Sequence, residues 1–285
     1  MGIHKQQVTP ALFQSAEHGE KMSLRYGSVL YAVKGSVAIV TLNRPEFRNA
    51  LGGTIREDII EVMAVAEAND SVRAIILTGA GSAFCSGGDL NELYLRAVQG
   101  QTIAEKTEPI RDRTLLAVYE AKKPVIAAVN GPAMGAGMNL ALAADIRIAS
   151  KEARFSQAHT MRGMMPDYGG TYLLPALLGS SKAYELICTG ATLDAEEALR
   201  LGLVSDVVEP STLMDRARTM AQAIALNAPI PIRLAKRAVQ QHNLGGLREA
   251  LARETAAQNV CYESQDAREG LRSFLEKRTP TFQGK

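Results

Sequence analysis

The first part of the chain alternates between runs with strand spacing and runs with helical spacing. Residues 29–45, VLYAVKGSVAIVTLNRP, hold two β-rich runs around Gly35-Ser36. This pattern predicts a β-hairpin whose second strand ends at Pro45. Residues 54–69, TIREDIIEVMAVAEAN, repeat apolar residues every three to four positions. They predict a helix that begins with a capping box of Thr54 and Glu57.

Three further apolar runs predict buried strands, and helical or glycine-rich segments separate them. The runs are RAIILTG at 73–79, KPVIAAVNGP at 123–132 and DIRIAS at 145–150. TGAGSAFCSGGDL, at 78–90, is too rich in glycine to be regular. Helical patterns follow at 102–121 and at 134–145, where MGAGMNLALAAD begins with glycines. Strands that alternate with helices in this way predict an α/β core with parallel strands.

Strand signals stop after Ser211. Four helical patterns follow: TLMDRARTMAQAIAL, PIRLAKRAVQQ, GLREALARETAAQNVCYE and QDAREGLRSFLEKR. We therefore predict a polar N-terminal extension at 1–25, an α/β core at 26–210 and a helical C-terminal region at 211–285. Such a region either serves assembly or packs on its own core, and the pattern favours neither.

Composition narrows the classes of function. The chain has 285 residues, 46% of them hydrophobic, which is enough for a sizeable core. Its net charge of +2 gives no sign of nucleic acid or a membrane surface as partner. We find no secretory signal and no apolar run near the roughly 20 residues that span a bilayer. Three widely spaced cysteines indicate a reduced, cytoplasmic setting.

Several familiar site motifs are incomplete or missing. Gly135-x-Gly137 lacks the third glycine of a dinucleotide fingerprint, because Leu140 stands in its place. No phosphate-binding loop or nucleophile elbow is present. The four histidines form no metal-binding pattern, so we expect no metal. Cys85 is better explained as a small residue in a crowded loop than as a nucleophile, because no histidine lies near it in sequence.

Two glycine-rich loops together indicate chemistry. In FCSGGDL, Gly87 and Gly88 leave backbone N–H groups open to close approach. In NGPAMGAGMN, Gly135 and Ala136 stand at the N-terminal end of a predicted helix, where unpaired N–H groups favour an anion. Two such N–H groups aimed at one point would form an oxyanion hole.

These loops belong to a series of segments that resembles the enoyl-CoA hydratase/isomerase (crotonase) superfamily along nearly the whole chain. The other matching segments are LNRPEFRNAL, KPVIAAVNGPAMGAGMNLALAADIRIAS, ARFSQ, PDYGGTYLLPALLG, TGATLDAEEALRLGLVSDVV and FLEKRTPTFQG. The resemblance implies a spiral of ββα units, with a helical C-terminal region that builds trimers or dimers of trimers. It also implies an acyl-CoA substrate, an enolate at the thioester oxygen, and no cofactor beyond the CoA of the substrate.

Carried over by position, the resemblance gives Gly88 and Ala136 the two oxyanion N–H groups. It places CoA near six further residues: Arg48, Ala50, Ser86, Asp89, Leu90 and Lys277. Lys277 would contact the CoA phosphate, in its own or a neighbouring subunit. Arg48 and Lys277 could equally be ordinary solvated charges. Asp89 and Asp145 are expected to satisfy nearby backbone N–H groups.

Departures from the family pattern change the expected chemistry. The two glutamates that hold water in hydratases fall on Asn139 and His159, so ordinary hydration is not expected. Asp167, in MMPDYGG, matches an aspartate that shuttles protons in some isomerases of the family. It predicts a double-bond isomerase, although Asp167 could instead cap the following helix.

Two other functions remain open. The first is a hydratase or a β-diketone C–C hydrolase that uses His159, although His159 could also be a polar pocket residue bonded to backbone. The second is a catalytically silent acyl-CoA-binding subunit. We expect the pocket walls at 91–115 and 159–168, where Met161, Met164 and Met165 suggest a pliable apolar surface.

Overall fold

The computed structural model describes residues 11–13, 21–99 and 110–285. Its strands are β1 (Ala11–Phe13), β2 (Lys21–Tyr26), β3 (Val29–Lys34), β4 (Val37–Leu42), β5 (Ala74–Gly79), β6 (Val125–Val129), β7 (Ala133–Met134), β8 (Ile146–Ser150), β9 (Arg154–Ser156), β10 (Thr192–Asp194) and β11 (Asp206–Val208). Eight strands form one sheet in the order β1-β2-β3-β4-β5-β6-β8-β11, and three form a second in the order β10-β9-β7.

The larger sheet confirms the strands predicted from the apolar runs. The hairpin of β3 and β4 is antiparallel. From β4 onward the ladders to β5, β6, β8 and β11 are all parallel. Strand β2 also pairs with β3, so the sheet begins before residue 26, where we placed the start of the core. Residues 1–10 and 14–20 of the predicted extension lie outside the described residues.

The helices are α1 (Ile55–Ala68), α2 (Leu90–Val98), α3 (Ile110–Tyr119), α4 (Ala136–Leu142), α5 (Gly170–Leu178), α6 (Ser180–Thr189), α7 (Ala195–Arg200), α8 (Leu213–Ala225), α9 (Pro229–Glu263) and α10 (Gln265–Leu275). Within the part that the structure describes, no helix is long and apolar enough to cross a membrane.

The four helical patterns after Ser211 form three helices, so the predicted division was wrong at one point. The second and third patterns are one 35-residue helix, α9. Gly245 and Gly246 lie at the start of the third pattern, and glycine weakens an isolated helix. Packing overrides this, because a Cβ at Gly246 would lie 2.8 Å from the Tyr172 ring. The glycine therefore permits a close contact rather than ending the helix.

One prediction needed correction at a helix start. Thr54 precedes α1 as expected, but its hydroxyl donates to Asp58 Oδ2 at 2.9 Å and forms no capping box with Glu57. The helix predicted at 102–121 is described only from Ile110 to Tyr119, and residues 100–109 lie outside the described residues. Helix α2 was not predicted. Its N-cap is Asp89, whose side chain accepts from Glu92 N.

Apolar layers cover both faces of the parallel strands. Within β5, Ile75 and Leu77 belong to the main core, while Ala74 and Ile76 belong to a second cluster with residues of α8. Alternate residues of a strand face opposite sides, so a strand buried on both faces is apolar throughout. This explains the unbroken hydrophobic runs of the sequence.

Candidate active site

The two glycine-rich loops contact each other backbone to backbone. Met134 N donates to Cys85 O at 2.9 Å. A Cβ at Gly137 would lie 2.1 Å from Cys85 O, and one at Gly87 would lie 2.7 Å from Met134 O. Only glycine fits at such distances, so the glycines of both segments bring the loops together. Cys85 itself is fully buried, and burial raises the pKa of its thiol to about 12, which rules it out as a ready nucleophile.

Gly88 and Ala136, to which the resemblance gives the oxyanion N–H groups, both line one cavity of about 320 Å³. Ala136 is the first residue of α4, after Gly135 with a φ of 52°. The first N–H groups of a helix have no partner within the helix and lie at its positive end. An anionic oxygen bound at this wall of the cavity would therefore meet backbone donors.

Asp167 lies in the same cavity beside a histidine and two arginines. Its Oδ1 is 3.2 Å from His159 Nε2, and its Oδ2 is 4.0 Å from Arg111 Nη1. Burial alone would raise the pKa of Asp167. The hydrogen bond with His159 and the charges of Arg111 and Arg56 outweigh it, and the pKa is lowered. Since an ionised carboxylate only accepts, His159 Nε2 carries the proton and donates.

His159 packs between this carboxylate and the oxyanion loop. A Cβ at Gly135 would lie 3.3 Å from His159 Cε1 and Nε2, so glycine lets the ring approach. His159 Nδ1 is buried and has no hydrogen-bond partner among the described residues. The backbone bond that we considered for this side chain is therefore not present there. The ring edge that carries Nε2 is the one that meets Asp167.

Asn139 does not line the cavity. It is fully buried, and its Nδ2 donates to the backbone oxygen of Asp167 at 2.7 Å. Its Oδ1 accepts from Gln157 Nε2 at 2.6 Å. The residue at one of the two glutamate positions therefore holds the backbone of Asp167 instead of holding water.

The Asp167 side chain does not cap α5, which settles one alternative. That helix has no side-chain cap at its own N-cap residue, Gly169. Instead, Glu254 of α9 accepts from Gly169 N and from Thr171 N, both at 2.8 Å. Burial and the charge of Asp167 raise the pKa of Glu254 to about 7, against the hydrogen bonds that lower it.

Four of the six predicted CoA-binding residues line the cavity: Arg48, Ser86, Asp89 and Leu90. Ala50 is buried, and Lys277 follows α10, but neither is among the lining residues. Their proposed contacts remain predictions. Asp145 accepts from Val125 N and pairs with Lys236, both within 2.7 Å, which matches the structural role expected of it.

The predicted walls supply much of the cavity lining. The segments at 91–115 and 159–168 contribute Glu92, Leu93, Arg96, Arg111, His159, Met161, Arg162, Met164, Asp167 and Tyr168. The sequence did not predict the contributions of Arg56 and of the helical region, which adds Gln258, Tyr262 and Phe274. Glu254 and Gln258 could have been noticed as polar residues on the apolar side of a helix, near Leu247 and Leu251.

Comparisons with known proteins all indicate one family. The family model described as enoyl-CoA hydratase/isomerase matches residues 32–285. A short-chain-enoyl-CoA hydratase of Clostridium acetobutylicum is 38% identical over 90% of this chain and 97% of its own length. A 1,2-epoxyphenylacetyl-CoA isomerase of Escherichia coli is 36% identical over 90% of this chain and 98% of its own. The crystal structure of an enoyl-CoA hydratase from Mycobacterium avium subsp. paratuberculosis superposes with a TM-score of 0.81, at 30% identity, over 91% of this chain and all of that one.

Proposed function

Because the chain belongs to the enoyl-CoA hydratase/isomerase family and has the crotonase fold, we propose that it is a double-bond isomerase of an acyl-CoA thioester with Asp167 as its base. Asp167 removes a proton from the acyl chain, and the electron pair moves into an enolate at the thioester oxygen. The N–H groups of Gly88 and Ala136 stabilise that oxygen. Asp167 then returns the proton to a different carbon, which shifts the double bond.

The proposal depends on the residues that stand where hydratases of the family have their two glutamates. Asn139 is sealed away from the cavity, and His159 is bonded to Asp167. Neither position offers a carboxylate to hold water, whereas Asp167 lines the cavity beside the oxyanion loops. Its lowered pKa keeps it ionised near neutral pH, as a base must be.

Proton exchange tests the proposal directly. A 3-enoyl-CoA incubated with the protein in deuterated water should exchange protons at its α and γ carbons and yield the 2-enoyl isomer. Tight binding of the thioester without exchange would instead indicate a silent acyl-CoA-binding subunit. Crotonyl-CoA hydration, followed at the enoyl absorbance, should be very weak, and turnover like that of an ordinary hydratase would refute our assignment.

A water-activating role is the second candidate, and one distance favours it. His159 Nε2 and Asp167 Oδ1 are 3.2 Å apart, so the two side chains form a pair that could orient a water molecule. Such a pair would serve a hydratase or a β-diketone hydrolase. Incorporation of ¹⁸O from labelled water into the product distinguishes it, because isomerisation incorporates none.

We also propose that the chain assembles into trimers or dimers of trimers. Leu226, Ile230, Leu234 and Val239 are all at least 60% exposed, which suits burial in a trimer or a dimer of trimers. A monomer in light scattering at micromolar concentration would refute this. We expect no cofactor beyond the CoA of the substrate. Calorimetry should show binding of acetoacetyl-CoA and none of NAD, and chelators should leave activity unchanged.

A further inference from the structure

The backbone directly after Asp167 adopts a conformation that needs support. Tyr168 has a φ of 51°, and Gly169 has a φ of 69°. Glycine adopts left-handed φ readily, but a residue with a Cβ does so at a cost of about 1–2 kcal/mol. Such a conformation persists only where its surroundings hold it. The orientation of the Asp167 side chain therefore depends on what holds residues 165–171, which we call the Asp167 turn.

Two buried side chains of α9 hold this turn on both sides of Asp167. Glu254 is 2% exposed and accepts from Gly169 N and Thr171 N at 2.8 Å and from Thr171 Oγ1 at 2.5 Å. Gln258 is 1% exposed, and its Oε1 accepts from Met165 N at 3.0 Å. Residues four apart lie on one face of a helix. One helical turn of α9 thus binds the backbone before and after Asp167.

Two other contacts hold the Asp167 turn, and they come from helices α4 and α1 rather than from α9. Asn139 of α4 donates to Asp167 O at 2.7 Å, and Arg56 Nε of α1 donates to the Tyr168 hydroxyl at 3.0 Å. These contacts fix Asp167 O and the Tyr168 ring. They leave the N–H groups of Met165, Gly169 and Thr171 to α9.

We propose that Glu254 and Gln258 are positioning residues, through which the C-terminal helix α9 sets the carboxylate of Asp167 against the acyl chain. The proposal rests on the proton-transfer role given to Asp167 above. If Glu254 loses one acceptor, a buried N–H loses its partner, and the left-handed turn can relax. Glu254 is not among the residues that line the cavity. Loss of a Glu254 acceptor should therefore lower the rate of proton transfer and leave thioester binding almost unchanged, since a base misplaced by 1 Å can cost about a hundredfold in rate.

Glu254→Gln is the decisive variant, because it preserves the size of the side chain while replacing one acceptor oxygen with a donor. Gln258→Met tests the second position, because it removes the acceptor of Met165 N without adding a buried charge. Ala221→Gly is the matched control. It lies on α8 in the second hydrophobic cluster and destabilises the fold without a contact to the Asp167 turn.

We expect the α-proton exchange rate of Glu254→Gln to fall roughly tenfold to a hundredfold. The dissociation constant of an unreactive thioester should stay within about twofold of its original value. Hydrogen–deuterium exchange at the amides of Gly169 and Thr171 should accelerate in this variant and not in Ala221→Gly. The Ala221→Gly variant should lose thermal stability and keep its exchange rate. An unchanged rate in Glu254→Gln, or an equal loss in Ala221→Gly, would overturn the proposal.

A measurement without turnover separates this proposal from the proposed function. The His159 Nε2 proton, bonded to Asp167, should give a downfield NMR signal that moves in Glu254→Gln and stays in Ala221→Gly. If the unmodified protein transfers no protons, the proposed isomerase function is refuted. The NMR signal and the exchange of the Gly169 and Thr171 amides then still test whether Glu254 positions Asp167. If the signal and the amides stay unchanged in Glu254→Gln, the positioning fails whatever the reaction is.

Discussion

At the scale of single residues, Asp167 is the group whose replacement is most informative. Asp167→Asn keeps the size of the side chain and removes its ability to accept a proton near neutral pH. We expect proton exchange to fall by about a hundredfold to ten-thousandfold, the usual contribution of a positioned base. The helix should survive, because Glu254 and not Asp167 caps α5. Thioester affinity should stay near its original value, and unchanged exchange would make His159 the base.

Arg111 is one of the groups that, after the hydrogen bond with His159, lower the pKa of the same carboxylate. Its guanidinium lowers the pKa of Asp167, so Arg111→Met should raise that pKa. The base would then be protonated at higher pH, and the acidic limb of the pH–rate profile should move upward. Arg111→Lys is the matched control, because it keeps the positive charge and should leave the limb nearly in place. A limb that moves equally in both variants would contradict the electrostatic explanation.

At the scale of elements, the contact between α4 and α5 prevents a simple reversal to hydratase chemistry. A Cβ at Gly170 would lie 2.4 Å from Asn139 Nδ2, which shows that no space surrounds this side chain. Asn139→Glu should therefore destabilise the protein by about 2 kcal/mol or more, through a longer and charged buried group. It should produce no crotonyl-CoA hydration. Asn139→Asp is the control in thermal unfolding, because it adds the charge without the extra length. A gain of crotonyl-CoA hydration in Asn139→Glu would contradict the prediction.

The strands and helices that could be predicted from the sequence are those with a clear local pattern. The hairpin of β3 and β4, strands β5, β6 and β8 and helix α4 were predicted because each has a clear local period or a glycine boundary. The continuity of α9 was missed, because the contact of Gly246 with Tyr172 is not local. In the site, the glycine loops and Asp167 had been singled out in the sequence, and they line one cavity. Glu254 and Arg111 were not, because their partners lie 85 and 56 residues away.

At the scale of the whole molecule, Glu254 links the free energy of unfolding to pH. Its pKa is about 7 in the folded protein, against an ordinary value of 4.5, so the folded protein binds this proton more tightly than the unfolded chain. Lowering the pH from about 7 towards 4.5 should therefore increase the contribution of Glu254 to the free energy of unfolding, by about 3 kcal/mol at most. Glu254→Gln should lack this contribution. Denaturant titrations of both proteins across this range give the difference, and parallel pH profiles would contradict the prediction.

The residues that line the cavity are spread widely along the chain, so the cavity is completed late in synthesis. Its lining runs from Arg48 to Phe274, whose ring lies 4.6 Å from the guanidinium of Arg162. A ribosome must therefore add 274 residues before the last wall exists. The parallel sheet can pair earlier, since its final strand ends at Val208. A nascent chain can thus possess its scaffold while its acyl cavity is still open to water, and a product that terminates in α9 would bear the oxyanion loops but no enclosed site.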